Sequence, residues 1–198
     1  MTRIELTDNK VLEIVVDESP FSPRENDNLG VMLCMHSRHS LGDKHSHKSS
    51  HFAGWTDFEH YIHTQLDAAI CLPLYLYDHS GINISTSPFA CRWDSSQVGF
   101  IYVSKKDLRN EYHVQRITSK ILEKAKKVIE AEVKVYNDYI AGDVHGFILY
   151  KKSKCDQSHE HKEEINSCWG FYGDLAKSGI MDYIDVSEDD KKLILGEF

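Results

Sequence analysis

The sequence predicts an α+β fold with a largely antiparallel sheet, one long helix at about residues 118–141 and several shorter helices. The long helix is indicated by apolar residues that recur at helical spacing up to Gly142, which closes the pattern. The sheet is indicated by strand-like runs near both ends of the chain, with helices between them and no repeating βαβ unit. That order of elements favours the α+β class.

Short runs rich in β-branched and aromatic residues predict the strands. In chain order they are residues 4–7, 11–16, 31–36, 70–77, 98–103, 144–151 and 165–172. The first two flank an Asp8-Asn9 turn and therefore predict a hairpin. Pro73 cannot donate a ladder hydrogen bond, so we expect its strand to lie at an edge or to contain a bulge.

Local capping signals predict where the shorter helices begin. Thr56 starts a capping box, because Glu59 stands three residues further on and can bond back to the backbone of Thr56. Ser104 is expected to cap a short helix after its strand. Asp174 and Ser187 can each cap a short terminal helix.

Length and charge limit the class of protein. The chain has 198 residues, of which 41% are hydrophobic, and this predicts one domain over 1–198 with polar loops at 37–54 and 153–163. The net charge of −8 argues against a protein that binds nucleic acid mainly by neutralising phosphates. The first residues lack a signal-peptide pattern and no apolar run could span a bilayer, so we expect a cytoplasmic protein without membrane contact.

The chain is rich in histidine, and this raises the question of a metal site. The weak candidates for metal ligands in the tightest cluster are Cys34, His36, His39 and His45. Thiolate and imidazole are the usual zinc ligands, but the spacings match no standard site, and the five cysteines form no CxxC pair. We therefore expect no metal and interpret these histidines as exposed loop residues, with a metal-binding loop as the alternative.

A polar turn directly follows one of the predicted buried strands. In the segment Asp78-His79-Ser80-Gly81, a carboxylate stands beside an imidazole, and such a carboxylate prepares a general base by fixing its tautomer. The same four residues also make a good turn, because Asp78 can bond the backbone and Gly81 can adopt a positive φ. Both interpretations, catalytic and structural, stay open.

A second polar stretch combines a planar cation, a large aromatic ring and an anion. Arg92, Trp93 and Asp94 suit stacking and hydrogen bonding to a planar ligand, or a hot spot for a protein partner. The alternative is that Trp93 fills the core while its neighbours lie in solvent.

Several blocks of the sequence together resemble a known family. They are DNLGVMLCMHSRHSLGD at 27–43, LPLYLYDHSGINISTSPFACRWDSSQVGFIYVSK at 72–105, GDVHGFILY at 142–150 and SCWGFYGD at 167–174. These blocks resemble those of an uncharacterised protein family found in bacteriophages and mobile elements of Gram-positive bacteria. The resemblance implies a phage-encoded accessory protein made in the host cytoplasm. It implies no activity, fold or catalytic residue.

Polar residues in these blocks are the candidates for a functional site, on resemblance and chemistry together. The catalytic candidates are His36, Arg38, Asp78 and His79, and the binding candidates are Asp27, Asn28, Trp93 and Asp94. This sequence departs from the family pattern at Arg92, where a proline is usual, and at His47, which weakens the metal interpretation. The candidates form one site only if residues 27–43 meet the 78–94 turns across the fold.

The favoured function is a bacteriophage accessory protein that binds and interferes with a host process, such as a defence enzyme or a small signal molecule, without catalysis. The first alternative is an enzyme that acts on a nucleotide or nucleic acid. In it, His36 or His79 is the general base, Asp78 orients that base and Arg38 stabilises negative charge. The second alternative is a metal-binding protein that uses the His-rich loop. The expected partner is a host protein or a small nucleotide-like ligand, and the sequence indicates neither cofactor nor oligomeric state.

Overall fold

The computed structural model describes residues 2–79, 81–91, 93–154 and 160–196. These residues contain four α-helices and eight strands, and the strands form two antiparallel sheets. This confirms the predicted α+β fold. The chain divides into two compact units: a terminal unit of Met1–Phe21 with Gly142–Phe198, and a central unit of Ser22–Ala141. No helix among the described residues is long and apolar enough to cross a membrane. The prediction of a single domain stays a prediction.

The strands are β1 (Thr2–Glu5), β2 (Lys10–Val16), β3 (Val31–Cys34), β4 (Ala68–Asp78), β5 (Ile82–Ser85), β6 (Ser95–Ser104), β7 (Val144–Lys154) and β8 (Glu160–Tyr172). The helices are α1 (Trp55–Thr64), α2 (Lys105–Glu111), α3 (Ser119–Ile140) and α4 (Glu188–Gly196). Short 3-10 turns lie at Pro23–Glu25, Ser49–His51 and Ile180–Asp182.

The terminal unit contains a sheet in the order β1-β2-β7-β8. The predicted hairpin forms because Asp8 and Asn9 both adopt positive φ, 55° and 57°, which a tight two-residue turn requires. Ser187 accepts from the NH of Asp190 at 3.2 Å and so caps α4 as predicted. The helix predicted to begin at Asp174 does not form, and the Asp174 side chain instead accepts from the NH of Ala176 in a turn.

The long hairpin of the terminal unit continues further than the sequence indicates. Pairing of β7 with β8 reaches Lys154 and Glu160, so the predicted polar loop at 153–163 is shorter than expected. Charged strands can pair in this way because their side chains find partners across the sheet: the Nζ of Lys162 lies 3.0 Å from a carboxylate oxygen of Glu13. Residues 155–159 of that predicted loop lie outside the described residues.

The central unit contains the second sheet, in the order β3-β6-β4-β5. Pro73 lies in the part of β4 that pairs only with β6, since β5 pairs with residues 75–78, and the register shifts between Leu74 and Tyr75. The expected edge and bulge are therefore both present. Helix α3 packs on this sheet through a row of buried residues, which are Ala125, Ile129, Val133 and Tyr136.

Of the two caps predicted in the central unit, one forms and the other does not. Ser104 accepts from the NH of Asp107 at 3.1 Å and caps α2 as predicted. The capping box predicted at Thr56 is wrong, because α1 already begins at Trp55 with Gly54 as its cap. Gly54 has a φ of 148°, and the Asp57 carboxylate accepts from the NH of Ala53 at 3.0 Å. The glycine cap and this bond replace the predicted one.

A buried cation joins three parts of the central unit. The side chain of Arg24 is only 5% exposed, and its Nε and Nη2 bond the two carboxylate oxygens of Asp43 at 2.8 and 2.7 Å. Its Nη1 lies 3.4 Å from the carboxylate of Glu132 on α3 and 3.2 Å from the amide oxygen of Asn28. The guanidinium thus connects the loop before β3, the loop after it and α3.

The two carboxylates of this cluster also accept backbone hydrogen bonds. Glu132 accepts from the NH groups of Leu29 and Gly30 at 2.7 and 3.1 Å. Asp43 accepts from the NH of Met32 at 2.7 Å. Because buried charges are costly unless they are paired and hydrogen-bonded, this satisfied network gives the segment a defined conformation.

Replacing Arg24→Met should therefore reduce the free energy of unfolding of the central unit by about 3–5 kcal/mol, because it leaves two carboxylates without their cation. Urea denaturation measures this loss. The matched control is Arg3→Met, whose pair with Glu5 is exposed on both sides, at 42% and 58%. That change should leave the free energy of unfolding almost unchanged. Equal losses in the two variants would contradict the structural role assigned to Arg24.

Candidate functional site

The fold brings the loop after β3 to the turn at the end of β4. Strand β6 lies between β3 and β4 and pairs with both, so Cys34 of β3 lies opposite Gly99 and Tyr77 of β4 lies opposite Ser95. At this edge an Nη atom of Arg38 lies 2.6 Å from a carboxylate oxygen of Asp78. The condition that the sequence sets for a single site, contact between the 27–43 block and the 78–94 turns, is met.

The same oxygen of Asp78 also contacts a histidine. The Nε2 of His39 lies 3.2 Å from it, so Asp78 holds a guanidinium and an imidazole together. In the neutral ring this bond places the proton on Nε2 and leaves Nδ1 as an acceptor. The imidazole that Asp78 orients is therefore that of His39, whereas the sequence suggested His36 or His79.

His36 is held through its other ring nitrogen, Nδ1. Its Nδ1 accepts from the backbone NH groups of Arg38 and His39 at 3.3 and 3.2 Å, and its ring stacks on that of His39 with centroids 5.1 Å apart. Burial lowers the pKa of His36, and the charges of His39 and Arg38 lower it further. Neutral His36 thus presents an N–H donor at Nε2, and its other nitrogen is already used.

The turns at 78–94 form the other half of the site. The backbone NH of Asp78 donates to the carbonyl of Asp94 at 2.9 Å, which closes the loop between β4 and β6. The carboxylate of Asp94 accepts from the Cys91 thiol at 3.3 Å and lies 3.8 Å from the Nδ1 of His79. The side chain of His79 is 64% exposed, and its NH donates to the carbonyl of Gly81. Ser80 of the predicted turn and Arg92 lie outside the described residues.

Trp93 points into solvent. Its side chain is 96% exposed, so it does not fill the core. It precedes Asp94, whose backbone and carboxylate tie this loop to the end of β4. The ring therefore stands on an anchored loop next to the Asp78 cluster, which we define as His36, Arg38, His39, Asp78, His79 and Asp94.

Two of the binding candidates lie elsewhere. Asn28 belongs to the Arg24 network, because its amide donates to the carbonyls of Pro23 and Asn26 and accepts from Arg24. Asp27 lines a separate cleft of about 740 Å³ beside α2 and α3. No hydrogen bond or ion pair between described residues joins either of them to the Asp78 cluster.

A cleft of about 640 Å³ opens in the loop that carries Arg38 and His39. Its lining includes the cations Arg38, Lys44 and Lys48. The carboxylate that lines it is that of Asp43, which is already paired with Arg24. The cleft is therefore locally positive on a chain of net charge −8.

The proposed metal ligands of the His-rich loop have other contacts. Cys34 is buried, and burial raises the pKa of its thiol to about 12. The Nε2 of His45 lies 2.8 Å from the carbonyl oxygen of Cys34 and so acts as a donor. Among the described residues, no three possible ligand atoms within 4.8 Å of one another include Cys34, His36, His39 or His45.

The neutral state of His36 can be tested by its titration. Replacing Arg38→Gln should raise the pKa of His36, because it removes a neighbouring positive charge and frees Asp78. Side-chain NMR over a pH series measures the midpoint, and Arg116→Gln, at an exposed position, is the control.

Protonation of His36 makes the stability of the fold depend on pH. The pKa of His36 is lower in the folded protein than in the unfolded chain, so the unfolded chain binds this proton first as the pH falls. His36 therefore lowers the free energy of unfolding as the pH falls through the ordinary histidine range. A midpoint that is unchanged or lower in Arg38→Gln would contradict the proposed electrostatic environment.

No protein-family model matches the chain, and neither does any curated protein or solved structure. The resemblance of the sequence blocks therefore stays an expectation.

Proposed function

We propose that this protein is a bacteriophage accessory protein that binds a host molecule in the cytoplasm and so interferes with a host process, without catalysis. The single observation that carries the proposal is the exposure of Trp93, at 96%, beside the Asp78 cluster. The molecule that the protein binds is a defence enzyme, another host protein or a small nucleotide-like signal molecule.

An exposed indole has no role in folding that would explain its position. Tryptophan offers a large apolar surface and a polar N–H, and it is one of the residues that contribute most to binding energy at interfaces. In this loop the ring is presented on a backbone fixed by the bond between Asp78 and Asp94. A ring on an anchored loop loses less entropy on binding than one on a free segment.

The charges around Trp93 indicate what kind of group it binds. The side chain of Arg38 is 69% exposed, and one of its terminal nitrogens is held by Asp78. The remaining N–H groups of such a guanidinium suit a carboxylate or a phosphate. Together with the positive cleft of the loop, this favours a partner that carries an anionic group next to a planar or apolar one.

Replacing Trp93→Ala should weaken binding at least about tenfold without changing the melting temperature, because the ring contributes to the interface and not to the core. The tagged protein is used to capture partners from host-cell extract, and a panel of nucleotides is tested by thermal shift. The matched control is Phe21→Ala, another aromatic side chain that is 81% exposed but lies in the terminal unit. Equal binding by both variants would remove the role assigned to Trp93.

A second candidate function is favoured by one specific contact. The bond from His39 to Asp78 leaves a free nitrogen on an oriented imidazole, with the guanidinium of Arg38 beside it. This arrangement resembles a general base with its orienting carboxylate and a group for developing negative charge. It supports an enzyme that acts on a nucleotide or nucleic acid, with His39 as the base.

Turnover of a nucleotide panel separates the two functions. If the second function holds, His39→Ala should reduce turnover by about 10²–10⁴-fold, because general bases contribute factors of that size. His79→Ala is the matched control, since it leaves the bond between Asp78 and His39 in place. Absence of turnover in the unmodified protein, or equal rates in the two variants, rules out this candidate.

A further inference from the structure

The face of α1 that points to β4 contains two possible metal ligands. Glu59 and His63 are four residues apart on this helix, so their side chains lie on one face, one turn apart. Helix α1 packs against β4 and β6 through Phe58 and Ile62, and Cys71 of β4 borders the same cluster. The packing of the helix thus places a carboxylate and an imidazole over a thiol.

The three side chains converge on one point. A carboxylate oxygen of Glu59, a ring nitrogen of His63 and the Sγ of Cys71 all lie within 4.8 Å of one another. His63 is exposed and Cys71 is half-buried, so the point can be reached from solvent. Among the described residues, this is the one group of three such ligand atoms that lie so close together.

No hydrogen bond or ion pair to a described residue uses these three groups. Their neighbours on α1 differ in this respect: Asp57 accepts from the NH of Ala53, and the hydroxyl of Thr64 donates to the carbonyl of His60. All three groups are therefore available as ligands, and a bound dication displaces the proton of the thiol.

The donor set selects the class of metal. Magnesium and calcium prefer oxygen ligands throughout, whereas zinc takes thiolate, imidazole and carboxylate together. Tetrahedral zinc with these ligands needs donor atoms roughly 3.2–3.8 Å apart. Side-chain rotations that move the donor atoms by about 1 Å bring them to these distances. Three protein ligands leave a fourth position for water.

We propose that Glu59, His63 and Cys71 bind a zinc ion that connects α1 to β4 in the central unit. The site is separate from the Asp78 cluster and from the His-rich loop. A ligand that binds only the folded state stabilises it in proportion to the logarithm of its concentration. Zinc therefore stabilises the helix against the sheet on which it packs.

The experiment measures binding of Zn²⁺ and Co²⁺ to the full-length protein. Zinc titration by calorimetry should give one site, and zinc at a hundredfold excess over the Kd should raise the melting temperature by roughly 5–10 °C. Cobalt should give the thiolate-to-cobalt charge-transfer band that marks a cysteine ligand. Absence of zinc binding, or cobalt binding without that band, overturns the proposal.

Variants assign the ligands. Cys71→Ser should abolish the charge-transfer band, and His63→Ala and Glu59→Gln should each weaken zinc binding at least about tenfold. The matched controls are His60→Ala on the same helix and Cys168→Ser in the terminal unit, both of which should bind as the unmodified protein does. Circular dichroism and melting without metal confirm that each variant folds.

The opposite pattern of losses in zinc affinity would contradict a site at Glu59, His63 and Cys71. If His63→Ala and Glu59→Gln keep full affinity while His36→Ala or His45→Ala loses it, the metal lies in the His-rich loop. Since His63 is exposed, its replacement keeps the test valid even where Cys71→Ser fails to fold.

Discussion

The buried pairing of Arg24 with Asp43 and Glu132 is the interaction on which the candidate site depends. It fixes the end of the loop that follows β3, because Asp43 also accepts from the NH of Met32 in that strand. The neighbouring Gly42 donates to the hydroxyl of Tyr136 on α3 at 2.8 Å. Both ends of the segment 34–43 are thus anchored to the sheet or the long helix. The segment presents Arg38 and His39 in a defined place, although it has no regular secondary structure of its own.

The two arginine pairs of the central unit serve different purposes. Arg24 is buried, and the loss of its charge leaves two partly buried carboxylates, 23% and 14% exposed, without their cation. Arg38 is 69% exposed, and an exposed ion pair contributes little to folding, typically less than about 1 kcal/mol. Stability therefore does not account for the bond between Arg38 and Asp78. The Asp78 carboxylate instead holds the guanidinium of Arg38 and the imidazole of His39 next to each other at the surface, which is useful for binding or for chemistry.

Elements with strong local signals were predictable from the sequence. The hairpin at Asp8-Asn9 and the helix that ends before Gly142 depend on turn and capping preferences that act within a few residues. The capping box at Thr56 was wrong because a glycine two residues earlier caps the helix instead. Contacts such as that between His39 and Asp78 join residues far apart in the chain and depend on sheet order, which local patterns do not determine. For the same reason the sequence analysis did not bring together Glu59, His63 and Cys71, although the first two are spaced one helical turn apart.

Strand β4 connects the two proposed sites and also keeps them apart. Cys71 lies in its first half and Asp78 at its end, and an extended strand places residues seven positions apart at about 23 Å. Groups at that separation, with no shared partner, usually contribute independently to stability. A zinc ion at Cys71 therefore acts on the packing of α1 against the sheet and makes no contact with a ligand at Asp78. The surface around Trp93 depends instead on the anchoring of its loop and on the network of Arg24. Binding of a partner at Trp93 and binding of zinc at Cys71 can therefore be changed separately.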